Sequence, residues 1–218
     1  MKTSVFTAVA VVASAAACAP SLAGLVNPLI APWAGGASAQ FAQWDSFSSA
    51  NGGANAPDSA GSAPFSLMNF STDAFIAGSG NIYGPVSPLF VMIMGGTRGG
   101  QTPLQIVMNV ATAGTFIAPG GVRLSLFDNL GNSMSLSPGA PDIRYEAPTP
   151  PQGAARTTAY TWNTANMPFN ATGFRIEITG GPGNMALDAV RLDINYVPAP
   201  GAIAVIGLAA LASRRRRA

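Results

Sequence analysis

The chain predicts an all-β fold: an antiparallel β-sandwich, jelly-roll-like, flanked by an N-terminal signal peptide and a C-terminal transmembrane helix. Three observations carry this. Short runs alternate apolar and polar residues at period 2, the signature of half-buried strands. Turn-forming clusters recur at short spacing in a chain with 25 Gly and 18 Pro. No stretch sustains the 3.6-residue period of an amphipathic helix. Composition divides the chain into three parts: a leader over residues 1–39, a β-domain over 40–197 and a terminal segment over 198–218.

The leader opens with Lys2 and an apolar run over residues 4–17, the layout of a secretory signal read by the Sec translocon and signal peptidase. Ala37-Ser38-Ala39 fits the small-x-small cleavage pattern, and strand-like sequence starts at Gln40, so the mature chain is expected to begin there. Ser21-Leu22-Ala23 gives the alternative start at Gly24. Cys18 follows three alanines, which leaves a lipoprotein start as a third option.

In the β-domain, residues 41–47 form the first expected strand. Residues 48–63 are Ser, Asn, Gly, Ala, Pro and Asp, a long loop with no apolar period. Short strands are expected at 65–70 and 74–77, and another starts at Ile82. The continuous apolar run 89–94, bounded by Pro88 and Gly95-Gly96, predicts a buried central strand. In residues 104–111, Leu104, Ile106, Met108 and Val110 form one face; Gln105 and Asn109 form the other, which Val107 interrupts. Residues 122–127 and 134–136, joined by Asp128-Asn129-Leu130-Gly131-Asn132, give the clearest hairpin. A short strand is expected at 142–146, then a Pro-rich surface loop at 147–153. Strands follow at 157–163, 174–179 and 187–196, where a phase slip at Ala189-Val190 predicts a bulge. The total is ten to twelve strands with Greek-key connections.

Charge narrows the function. The chain carries a net charge of +2. Residues 40–197 hold six arginines, no lysine and nine acids, a net charge of −3. The basic excess sits in the termini, so the domain has no electrostatic footprint for nucleic acid. With no His in the chain, no mature Cys and no Lys in the domain, His-based triads, thiolate metal sites and Schiff bases are excluded. Gly95-Gly96-Thr97-Arg98-Gly99-Gly100 lacks the Lys and helix of a phosphate loop.

Carboxylates remain. A carbohydrate-active enzyme on this fold would need two facing acids; Glu146 and Glu177 are the only glutamates, and Asp pairs are possible. The default reading is solvated strand faces and no enzyme. Asp45 and Asp188 are candidate ligands for a structural Ca²⁺, against ordinary edge carboxylates. Trp44 and Trp162 are candidate sugar platforms, against core packing; Trp33 falls before the expected mature start. Asn170-Ala171-Thr172 matches a glycosylation sequon. No catalytic residue and no cofactor is expected.

The terminal segment is the most specific stretch. Pro198 and Pro200 cannot donate ladder hydrogen bonds, so the last strand stops before them. Residues 201–213 carry no charge, and as a helix would span roughly 20 Å at about 1.5 Å per residue, short of the ~30 Å hydrocarbon core. Arg214, Arg215, Arg216 and Arg217 follow, which halts transfer with the domain outside. Pro198-Ala199-Pro200-Gly201, then an apolar run, then a terminal Arg cluster, resembles the PEP-CTERM sorting signal; Ala199 stands where that family has Glu. The resemblance implies recognition by an exosortase, a membrane cysteine protease-transpeptidase, near the Pro motif. It implies transient membrane insertion, then display at the cell surface or in the extracellular polysaccharide matrix. A permanent tail anchor is the alternative. The Leu187-Asp188 pair before the last strand resembles carbohydrate-binding jelly rolls at the level of fold. Together these readings give an exported, non-catalytic binding or structural protein.

Overall fold

The computed structural model describes residues 24–61, 64–98, 101–149 and 153–196. Thirteen strands follow one another among the described residues: β1 (Ala39–Trp44), β2 (Ser59–Ala60), β3 (Phe65–Asn69), β4 (Phe75–Ile76), β5 (Ile82–Gly84), β6 (Phe90–Gly96), β7 (Pro103–Gly114), β8 (Ile117–Phe127), β9 (Ser133–Leu136), β10 (Asp142–Thr149), β11 (Gly153–Asn163), β12 (Gly173–Gly180) and β13 (Met185–Tyr196). There is no α-helix among these residues.

The strands make two antiparallel sheets. The larger has eight, in the order β10-β11-β7-β13-β1-β2, with β4 and β5 attached through β13. The smaller has five, in the order β3-β6-β12-β8-β9. One core joins their facing sides. Trp44, Ile106, Val110, Val190 and Leu192 come from the larger sheet; Leu67, Ile93, Leu124, Phe174 and Ile176 come from the smaller. Alternation produces this directly, because successive side chains of a strand point to opposite faces. In β12, Phe174, Ile176 and Ile178 enter the core while Arg175, Glu177 and Thr179 point away.

Several expectations hold in detail. The hairpin is β8–β9, with Leu126 opposite Met134 and Leu124 opposite Leu136. Asp128 closes its turn by accepting the amides of Leu130 and Asn132. Register slips between Leu187 and Ala189, where the phase of the sequence slips. The run 89–94 becomes β6, between β3 and β12.

Three expectations need correction. β6 is not buried throughout: Val91 and Ile93 enter the core while Met92 and Met94 are half-buried on the outer face. Residues 147–149, expected in a loop, extend β10. Pro148 is tolerated because β10 is an edge strand and needs no donor on its free side. The expected loop 48–63 contains β2 and a bridge between Asn55 and Leu67. Buried Asn55 organises it: its Oδ1 accepts the amides of Ser48 and Ser49, and its carbonyl accepts Trp44 Nε1–H at 3.0 Å.

Residues 24–38, placed in the leader by a start at Gln40, lie as a strap across the outer face of the larger sheet. Asn109 on β7 serves as its docking partner: Oδ1 accepts the Leu29 amide at 2.7 Å and Nδ2 donates to the Leu29 carbonyl at 3.0 Å. The Val26 amide donates to Thr157 Oγ1, and Asn27 and Arg144 exchange two hydrogen bonds. Arg98 donates to the carbonyl of Ala37, and Ser38 donates to Asn195 Oδ1. The strap explains Val107: this apolar interruption of a polar face is buried and shares a cleft with Leu29 and Trp33.

Candidate functional site

The sequence-derived candidates separate in the structure. Trp44 is 0% and Trp162 4% exposed. Their indole N–H groups are also spent, on the Asn55 and Leu136 carbonyls. Neither ring offers a face to a sugar. The packing reading of both is the one observed.

Asp45 and Asp188 share no hydrogen-bond partner. Asp45 accepts from Gln43 Nε2 at 2.7 Å. Asp188, 2% exposed at the β13 bulge, contacts Asn81 Nδ2 at 2.5 Å. Burial pushes the Asp188 carboxyl up to about 7. Its contact with Asn81 has the length of an O–H···O bond, and Asn81 Oδ1 is itself buried without a partner among the described residues. A neutral Asp188 donating to that oxygen, with the Asn81 amide turned over, accounts for the short contact, and Nδ2 then takes the unpartnered position. Among the described residues no three His, Cys, Asp or Glu side chains group to hold a metal.

The two glutamates do not face each other. Glu177 points outward from the smaller sheet, opposite Arg123 and ion-paired to Arg175 at 3.1 Å. Glu146 is on β10 of the larger sheet and pairs with Arg156 at 2.8 Å. In the sequon, Thr102 Oγ1 donates to exposed Asn170. The sorting motif Pro198–Gly201, the membrane stop Arg214–Arg217, Cys18 and the leader's apolar run lie outside the described residues, as does Val197.

Two carboxylates on surface turns behave oppositely to Asp188. Burial raises the Asp58 pKa, but hydrogen bonds from the Asp45 and Ser46 amides and the Ser46 hydroxyl outweigh it, so the net shift is downward. Asp128 is lowered chiefly by the Asn132 side chain, with the Leu130 and Asn132 amides adding to it.

What the structure brings together instead is a cleft of about 300 Å³ on the outer face of the larger sheet. The strap supplies Trp33, half-buried at its edge. β7 and β11 supply Gln105, Thr161 and Asn163, all exposed; Gln105 and Asn163 are direct cross-strand partners and so share this face. An indole beside carboxamide and hydroxyl groups offers one apolar plane and several donors and acceptors, which suits a ring that is itself apolar on its face and polar at its edge. In the strand expected at 157–163, Thr161 and Asn163 are two positions apart and so share a face. Trp33 was missed, because a mature start at Gln40 removes it.

Scanned against models of known protein families, the chain matches none, and a search of curated proteins finds no match. Among solved structures it is similar to a family two carbohydrate esterase from Cellvibrio japonicus, at 15% identity and a TM-score of 0.21. The match covers 63% of this chain and 36% of that one, so the chain spans about a third of that protein's length.

Proposed function

We propose that this chain is an exported, non-catalytic β-sandwich, jelly-roll-like in its connections, that an exosortase sorts to the cell surface or extracellular matrix, where it associates with polysaccharide. The observation that carries the reading is the order of the terminal segment: Pro198-Ala199-Pro200, an uncharged run over residues 201–213, then Arg214 to Arg217. An apolar run too short for a comfortable span, ending on four guanidiniums, suits a transient stop. The tryptophan-edged cleft is the surface we assign to sugar contact. The strap supports the earlier of the two mature starts, at Gly24, since a start at Gln40 would strip the partners of Asn109 and Thr157.

Mass spectrometry of the exported protein tests the sorting half. The expected mature species lacks Arg214–Arg217 and begins at Gly24. A surface protein that keeps the Arg cluster is a permanent tail anchor and overturns exosortase sorting.

A further inference from the structure

The two sheets part along one side, between the β8–β9 pair and the β10–β11 pair. Between them lies an open-sided cavity of about 560 Å³, within the usual size range for a small-molecule site. Its walls include Ile117, Pro119, Val122, Pro138 and Ile143. Into this apolar slot β11 projects three polar side chains at alternate positions: Arg156, Thr158 and Tyr160.

Two of these have unused hydrogen-bonding capacity. Tyr160 is 6% exposed and its hydroxyl has no partner among the described residues. Burial, opposed by the charge of Arg156, pushes its pKa up to about 12, so it is a donor at any physiological pH. Arg156 gives Nε and Nη2 to Glu146 Oε2, at 3.0 and 2.8 Å, and its guanidinium lies 3.4 Å from the centre of the Phe116 ring. Nη1 remains without a partner among the described residues. The Tyr160 hydroxyl opens onto the cavity, where an acceptor can take the place of water. The free groups are donors, and one of them is cationic. The surroundings are aliphatic and proline rather than open aromatic planes, and the one aromatic face near the cation is covered by it.

We propose that this inter-sheet cavity binds an amphipathic carboxylate, its apolar body between the sheets and its carboxylate on the Tyr160 hydroxyl and Arg156 Nη1. This site is separate from the tryptophan-edged cleft, and the proposal does not rest on the export reading.

Decanoate serves as the probe, titrated calorimetrically into the full chain after co-purifying lipid is removed. The expected result is saturable binding at one site per chain. Decanol, with the same chain and no charge, should bind at least tenfold more weakly. Tyr160→Phe keeps the ring and should weaken decanoate at least fivefold. Ile143→Trp, at an exposed rim position, should block entry without disturbing the core. Unchanged melting temperatures of both variants separate lost binding from lost folding. Absence of saturable binding, equal affinity for decanol, or full affinity in both variants overturns the proposal.

Discussion

At the residue scale, Asp188 has the largest consequence. Its folded pKa of about 7 is above the ordinary value of 3.8. Between these two values the folded state holds a proton that the unfolded state has released. Stability from this residue is therefore greatest below pH 4, falls as pH rises towards 7, and is flat above. The drop is up to about 4 kcal/mol, at ~1.4 kcal/mol per pH unit. Asp58, Asp73 and Asp128 act with the opposite sign: their lowered pKa values give stability that is lost as pH falls below their ordinary range. Urea unfolding from pH 4 to 8 should show a decline that Asp188→Asn abolishes; a decline that survives the substitution would assign it elsewhere. Trp44 gives a second residue-scale expectation. It is fully buried and bonded to Asn55, so Trp44→Ala should cost about 3–5 kcal/mol. Sugar affinity per folded molecule should stay unchanged, whereas Trp33→Ala should lower it with little loss of stability.

At the element scale, the strap shows what the sequence could reveal and what it could not. The core faces of β8 and β12 are legible because each has one buried side and one more exposed side, and period 2 reports that contrast. The outer face of β7 obeys a different rule. Val107, Asn109 and Ala111 are buried there by a segment far away in sequence, so alternation fails and gives only an unexplained Val107. The small-residue pattern near Ala39, which gives the expected start at Gln40, carries no record of this packing. β2 and β4, at two residues each, are too short for any period. If the strap belongs to the folded domain, Asn109→Ala should cost about 1–3 kcal/mol by breaking both bonds to Leu29. In a chain lacking residues 24–38 the same substitution should cost far less, because its partners are gone. Equal costs in the two backgrounds would mean the strap does not stay docked in solution.

For the whole molecule, the separation of charge matters more than its sum. The described domain is weakly acidic, whereas four of the chain's cations adjoin the final apolar run. A guanidinium at the centre of a bilayer costs about 2.5–3.5 kcal/mol on insertion scales, so four in sequence oppose transfer by roughly 10 kcal/mol or more. If the tail is the transient membrane stop proposed above, a 13-residue run with two glycines would not hold the chain there without that barrier. Replacing Arg214–Arg217 with serine should therefore leave the β-domain's melting temperature unchanged and alter only its destination. The expected product is released through the membrane with the tail intact, and mass spectrometry would find residues 198–218 still attached. A serine variant trimmed and retained like the parent would show that the arginines do not set the stop. The Pro198-Ala199-Pro200 segment would then have to direct processing without a membrane-held substrate.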